Sequence, residues 1–157
     1  MRDFQHLDYR TTKDEPVEMK RTLIIEFPWP PKGLSPNARL TRYAKASLFK
    51  KAKTQAYLLT RAAAIKAHAR VTLAEGSTLN IKLTCQPPIL RYRDEDNLIA
   101  NCKAILDGIA EGMQVNDNTF HFKEQDWLQA ENPGHLIINI TWEPSLGCRS
   151  LGGRDHE

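Results

Sequence analysis

The segment RYRDEDNLIANCKAILDG, Arg91 to Gly108, sets three acids in a row, Asp94, Glu95 and Asp96, directly behind Arg91 and Arg93. Converging carboxylates repel unless a proton or a cation sits between them. In extended chain, residues i and i+2 project to one face, so Asp94 and Asp96 are expected to converge and Glu95 to point away. A hard divalent cation suits such a pair. Mg2+ takes oxygen ligands and commonly uses one or two carboxylates together with water and substrate phosphate. Asp94 and Asp96 are therefore candidate metal ligands, with Mn2+ a candidate substitute for Mg2+.

Helical spacing adds further groups. Lys103 lies seven residues after Asp96, about 20° short of two turns and roughly 10 Å along the axis. Its side chain is expected to lean back toward the N-terminus and approach the acids through a bound phosphate. Asp107 continues that stripe, and an i,i+4 surface ion pair with Lys103 is its preferred reading. Asp117, in MQVNDNTF, returns to the same edge if the next strand pairs beside the strand that ends near Arg93. Locally, an Asx turn explains NDN equally well.

Charge segregates along the chain. Residues 20–93 carry 15 Lys/Arg against Glu26 and Glu75 alone, a net of +13, whereas residues 94–157 carry 4 against 12, a net of −8. Cations that hold phosphates by counterion release, beside acids that hold a metal, suit a nucleic-acid enzyme. An ordinary solvated surface with segregated signs is the plainer alternative. Arg39, Arg42, Lys45, Arg91 and Arg93 are the candidate phosphate contacts. Tyr92 offers a ring for an unstacked base, or is a packed edge tyrosine. The odd set Cys85, Cys102 and Cys148 has no CxxC spacing, which argues against a disulfide framework or a zinc site and for buried or idle thiols. No histidine pairs with a Ser or Cys motif, and His121 reads as a surface residue. No GxxxxGK[ST] loop is present, which lowers nucleoside-triphosphatase readings.

These groups need elements to position them. TLIIEF alternates as a strand that Pro28, Pro30 and Pro31 end, and PKGLSPNAR follows as a turn. From about Ala44 to Ala69, Leu48, Phe49, Ala52, Ala56, Leu59, Ala63 and Ala67 recur at helical spacing. Leu79, Ile81, Leu83 and Cys85 mark one face of a second strand. A second helix, about Asn97 to Met113, has the stripe Leu98, Cys102, Ile105, Ile109 and Met113, with Asp96 at the N-cap position. Two strands follow, around Phe120 and Phe122 and around Leu136, Ile138, Ile140 and Trp142, with ENPG as the turn joining them. The expected fold is α+β (mixed α/β): helices on one face of a small sheet in the order strand-helix-strand-helix-strand-strand. Residues 1–19 read as a flexible leader, 20–144 as the folded domain and 145–157 as a flexible tail. No apolar run is long enough to span a bilayer, and MRDFQHLDYRTTKDEP has no apolar signal core, so a soluble, cytoplasmic protein is expected.

RDEDNLIANCKAILDGIAEGMQVND resembles the signature of the RusA family of Holliday-junction resolvases, R-D-x-D-N-L, a helix, then a hydrophobic residue and an acidic pair. PWPPKGLSPNAR is similar to that family's strand and proline-rich turn, and the resemblance brackets about residues 22–142. It implies a small homodimeric, Mg2+-dependent endonuclease that cuts four-way DNA junctions symmetrically in recombination or repair. It also implies Asp94, Asp96 and Asp117 as essential carboxylates. Lys103 resembles the lysine of a phage-type branch, where other members carry a lysine at the position of Ala100. Asn37 lies in the family-like turn as a DNA-contact candidate. One acid of the pair is an amide here, giving Asn116-Asp117. The sequence does not identify the dimer face; the hydrophobic residues of Phe120-His121-Phe122 and Trp127-Leu128 are candidates, with core packing as their default role. The alternatives are a non-catalytic binder of branched DNA with a degenerate site, signalled by Ala100 and Asn116, and an unrelated Mg2+-dependent nucleotide hydrolase.

Overall fold

The computed structural model describes residues 21–68 and 77–143. The expected leader and tail lie outside these residues, as does Cys148. The elements are strand β1 (Arg21–Pro28), helix α1 (Arg42–Lys66), β2 (Leu79–Gln86), α2 (Glu95–Asn101), α3 (Lys103–Met113), β3 (Phe120–Trp127) and β4 (His135–Trp142), with a 3-10 turn at Lys32–Leu34. This is the α+β class that the pattern implies.

Alternation fixes which face of the sheet is buried. Leu23, Ile25 and Phe27 of β1, Leu79, Ile81, Leu83 and Cys85 of β2, and Leu136, Ile138, Ile140 and Trp142 of β4 are all buried beneath the helices. Residues between them turn to the other face, where Ile24 is exposed. The α2–α3 stripe Leu98, Cys102, Ile105, Ile109 and Met113 closes the core from above.

The helices approach closely because small residues face each other. Gly108 lies against the Lys53 carbonyl and Ala56, and a Cβ at Gly112 would sit 2.9 Å from Thr60 Cβ. Ala52, Ala56 and Thr60 are the buried residues of α1. Leu59 and Ala63 pack partly on the core, and Leu48 and Phe49 are half-buried. The alanine-rich face is thus a helix–helix contact more than a sheet contact.

Two expectations change. ENPG does not close a hairpin between neighbouring strands, because the sheet order is β1-β4-β2-β3 and β2 lies between β3 and β4. The connection crosses the C-terminal end of β2: Leu128 N–H donates to the Cys85 carbonyl at 2.8 Å and Glu131 N–H to Pro87 at 2.9 Å. Gly134 takes φ +82°, and a Cβ there would sit 2.8 Å from Pro88 N, room that only glycine leaves. The second helix is also two pieces. Cys102 takes φ −82° and ψ −4°, and its N–H is shared between Leu98 and Ile99 at 3.0 and 3.1 Å. Among the described residues no helix is long and apolar enough to cross a membrane.

Candidate functional site

β4 runs antiparallel to both β1 and β2, so β1 and β2 are parallel and end at the same edge of the sheet. The Pro-rich turn after β1 and the loop Pro87–Arg93 after β2 therefore meet. Arg93 seals the meeting: its guanidinium stands 5.1 Å over the Trp29 ring, and Nη1 donates to the Ile89 carbonyl at 3.0 Å. Partial burial, then the neighbouring Arg91, lowers the Arg93 pKa. Arg93 is thus a structural clamp as well as a cation. Arg91 and Tyr92 beside it are exposed, Tyr92 by 95%.

Asp94 follows directly. It is the N-cap of α2, and its Oδ1 accepts from Asp96 N–H at 3.1 Å. The expected cap at Asp96 is corrected to Asp94, and the extended geometry expected for Asp94–Glu95–Asp96 does not hold. Only Asp94 is extended (φ −79°, ψ 129°), and Glu95 and Asp96 form the first helical turn. The physical reason is the cap itself, because a side-chain acceptor ahead of unsatisfied N–H groups starts the helix two residues early. Acids in a first helical turn also meet a favourable field, so the three-acid run has a structural use. All three carboxylates are exposed.

Asp117 lies elsewhere. β3 does pair with β2, the condition set for the return of Asp117, but in parallel, with Leu79 opposite Phe120. The start of β3 is therefore beside the start of β2, at the other end of a strand roughly 26 Å long. The α2–α3 pair carries the chain back along the sheet, so Asp94 and Asp96 precede its first turn and Asp117 follows its last. Asp117 does not return to the Asp94 edge. Nor is it the Asx residue of its turn: Asn116 Oδ1 accepts from Asn118 N–H at 3.2 Å, and Thr119 Oγ1 donates to the Asn116 carbonyl at 2.6 Å. The side chain of Asp117 is exposed.

Lys103 turns toward the Asp117 end instead of leaning back to Asp96. Its Nζ is 3.8 Å from Asp107 Oδ1, the i,i+4 pair expected for Asp107. Both line an open groove of about 570 Å³ that runs past Glu111 and Asn116 to Asp117. Lys53 of α1 closes its side, 3.2 Å from Glu111. Asn37, Arg39 and Arg42 are exposed, Lys45 is half-buried, and all four lie between the Pro-rich turn and the first turn of α1.

Among the described residues, no group of three His, Cys, Asp or Glu side chains stands together to hold a metal ion. Hard oxygen donors of the kind Mg2+ takes thus stand in two separate places. The Arg93–Trp29 clamp was missed from sequence. The signal for it was the proline turn, which holds Trp29 at the strand end where Arg93 arrives. Cys85 and Cys102 are buried and free, as expected, and burial pushes each thiol up to about 12.

No family model matches the chain. An uncharacterized protein of Xylella fastidiosa (strain Temecula1 / ATCC 700964) is 30% identical over 123 residues, covering 78% of each chain. The chain belongs to the family of that protein. The shared span is most of both chains, so the relationship is one of whole domains and not of a single motif.

Proposed function

We propose that this protein is a Mg2+-dependent, structure-specific endodeoxyribonuclease of the RusA type that resolves four-way DNA junctions. The observation that carries this reading is the RYRDEDNL segment: Arg91, Tyr92, Asp94 and Asp96 stand exposed together, anchored by Arg93 on Trp29. Cations, an aromatic ring and carboxylates in one exposed loop suit a bent or branched nucleic-acid backbone better than a small nucleotide.

In this reading, Arg91 and the Asn37, Arg39, Arg42 and Lys45 stretch hold phosphates and set the register of the duplex arms. Tyr92 stacks on an exposed base. Asp94, Asp96 and Asp117 are the residues that would hold the metal. The metal, when bound, supplies an activated water and charge stabilisation at the scissile phosphate. Lys103 lowers the negative charge near that phosphate. No covalent nucleophile takes part.

The test is a labelled four-way junction and a matched linear duplex, incubated with Mg2+, Mn2+ or EDTA and followed by binding and cleavage gels. Paired symmetric nicks on the junction, only with metal, are expected. The separation of Asp117 from Asp94 and Asp96 within one protomer favours a second reading, a non-catalytic binder of branched DNA. Tight junction binding without cutting in either metal selects that reading.

A further inference from the structure

We propose that the apolar pocket between the end of β1, the Pro-rich turn and α1 takes one unpaired base of a nucleic-acid strand, with the adjoining phosphate held at its rim by Lys50 and Lys51. The inference rests on the nucleic-acid part of the reading above and not on the cleavage chemistry.

The pocket has a volume of about 580 Å³. Small-ligand sites run from roughly 300 to 1,000 Å³ and are mostly apolar with a few polar groups. The sequence explains its walls. Pro28, Pro30 and Pro31 stop β1 from pairing further. Among the described residues β1 also has a strand on one side only. The wall on that side is therefore made of rings: Phe27, Pro28, Trp29 and Pro31. Opposite stand Leu48, Ala52 and Ala56, one i,i+4 row of α1. Two alanines in that row leave space that larger side chains would fill.

Lys51 and Gln55 form the next row of α1, and both are exposed. They line the pocket and also a second, open groove on the outer side of α1, with Ser47, Lys50 and Thr54. The two hollows thus share one rim. Apolar ring surface lies on one side of it, and two cations, two hydroxyls and an amide lie on the other. α1 carries no Asp or Glu, and among the described residues no acid lines either hollow.

That arrangement selects its occupant by charge and shape. It suits a flat apolar body with a hydrogen-bonding edge and a negative group close behind. A nucleotide has all three. The base stacks on ring surface, which accepts any of the four bases. The Gln55 amide offers both donors and an acceptor, as a base edge requires. Lys50 and Lys51 hold the phosphate. An acyl chain would leave the amide and the second cation without a role. Trp29 sets where the strand comes from. Arg93 covers its ring at 5.1 Å, and the same residue lines the pocket. One side chain thus joins the pocket to the loop that carries Arg91, Tyr92, Asp94 and Asp96.

The experiment uses the full chain in EDTA, so that binding is read without cleavage. The probe is an end-labelled single strand of six nucleotides, intact or with one central abasic position, followed by fluorescence anisotropy. The intact strand is expected to bind about tenfold more tightly, the worth of one stacked base. Ala52→Leu, which fills the pocket, is expected to remove that difference while circular dichroism holds. Lys51→Glu, on the exposed rim, is expected to weaken both strands alike. A strand with a central 5-iodouracil is expected to photo-cross-link to the peptide that contains Trp29, and this readout needs no variant. Equal binding of the intact and abasic strands, a folded Ala52→Leu that keeps the difference, or a cross-link to Tyr92 alone overturns the proposal. Thymidine monophosphate that competes as well as the strand overturns the strand as the source of the base. A protein that nicks junctions yet shows no abasic penalty loses the pocket and keeps the nuclease reading. A protein that shows the penalty and the Trp29 cross-link but never nicks keeps the pocket and loses the nuclease reading.

Discussion

The two ends of the α2–α3 pair are built alike and carry different surroundings. At the first, Asp94 caps the helix and Asp96 keeps an exposed carboxylate. At the second, Asn116 makes the same i to i+2 bond and Asp117 keeps an exposed carboxylate. At each end one Asx side chain organises the backbone and one acid stays open to solvent. The neighbourhoods differ. The first end sits among Arg91, Arg93 and exposed Tyr92, and the second opens into a groove with Lys103 and Asp107. The comparison teaches that the amide at Asn116 is not simply a lost acid. It performs the local bond that Asp94 performs with a carboxylate, and Asp117 beside it keeps a carboxylate open to solvent.

The sharpest way to break this comparison is to remove each open acid. Asp96→Asn and Asp117→Asn are each expected to reduce metal-dependent junction cleavage to background while melting temperature and junction binding hold. Retained cleavage in either variant takes that residue out of the site.

The thiols in and beneath the helix pair give the next effect. Burial raises Cys102 and Cys85 from 9.0 to about 12, so the unfolded chain loses their protons first as pH rises. Stability is full below about pH 9 and falls toward pH 12. Urea unfolding at pH 8 and pH 10.5 checks this, and Cys102→Ala is expected to flatten the slope. An unchanged slope places the alkaline loss in other groups.

The caps should differ from the open acids in kind. Asp94→Ala is expected to cost about 1 kcal/mol and Asp94→Asn a few tenths, since asparagine caps as well as aspartate. Both variants should cleave poorly if Asp94 is also a ligand. A stable, active Asp94→Asn leaves Asp94 with the cap alone. The smallest effect is Lys103→Ala, where an exposed i,i+4 pair contributes about 0.3–0.5 kcal/mol to folding. Its cleavage should fall by more than its junction binding, measured on the same preparation. Equal losses make Lys103 a plain phosphate contact.

Much of the fold was legible. Period-2 runs placed Leu79, Ile81, Leu83 and Cys85 on the buried face, and helical spacing placed Leu98, Ile105 and Ile109 in the core. The candidate site was legible as residue types but not as geometry. Its acids were read as extended chain because capping competes locally with extension, and the winner depends on where the helix starts. Asp117 was expected back at the Asp94 edge. A signal against this was present: a connection whose helices are about as long as the strand returns the chain to the end where that strand began, which makes the next strand parallel. The direction of Lys103 depended on Asp107 and the α1 surface, which spacing alone does not weigh.

The sequence by itself determined which face each strand and helix turns inward, that an aspartate of the Asp94–Asp96 run caps the second helix, and that the thiols carry no metal spacing. Side-chain periodicity and capping are local, set within a few residues. Only the tertiary structure decided that β2 lies between β3 and β4, that Asp117 stands at the opposite end of the strands from Asp94 and Asp96, and that β3 is an edge strand among the described residues. Strand order and direction follow from how distant segments share one core, and that competition is settled by burial across the whole domain.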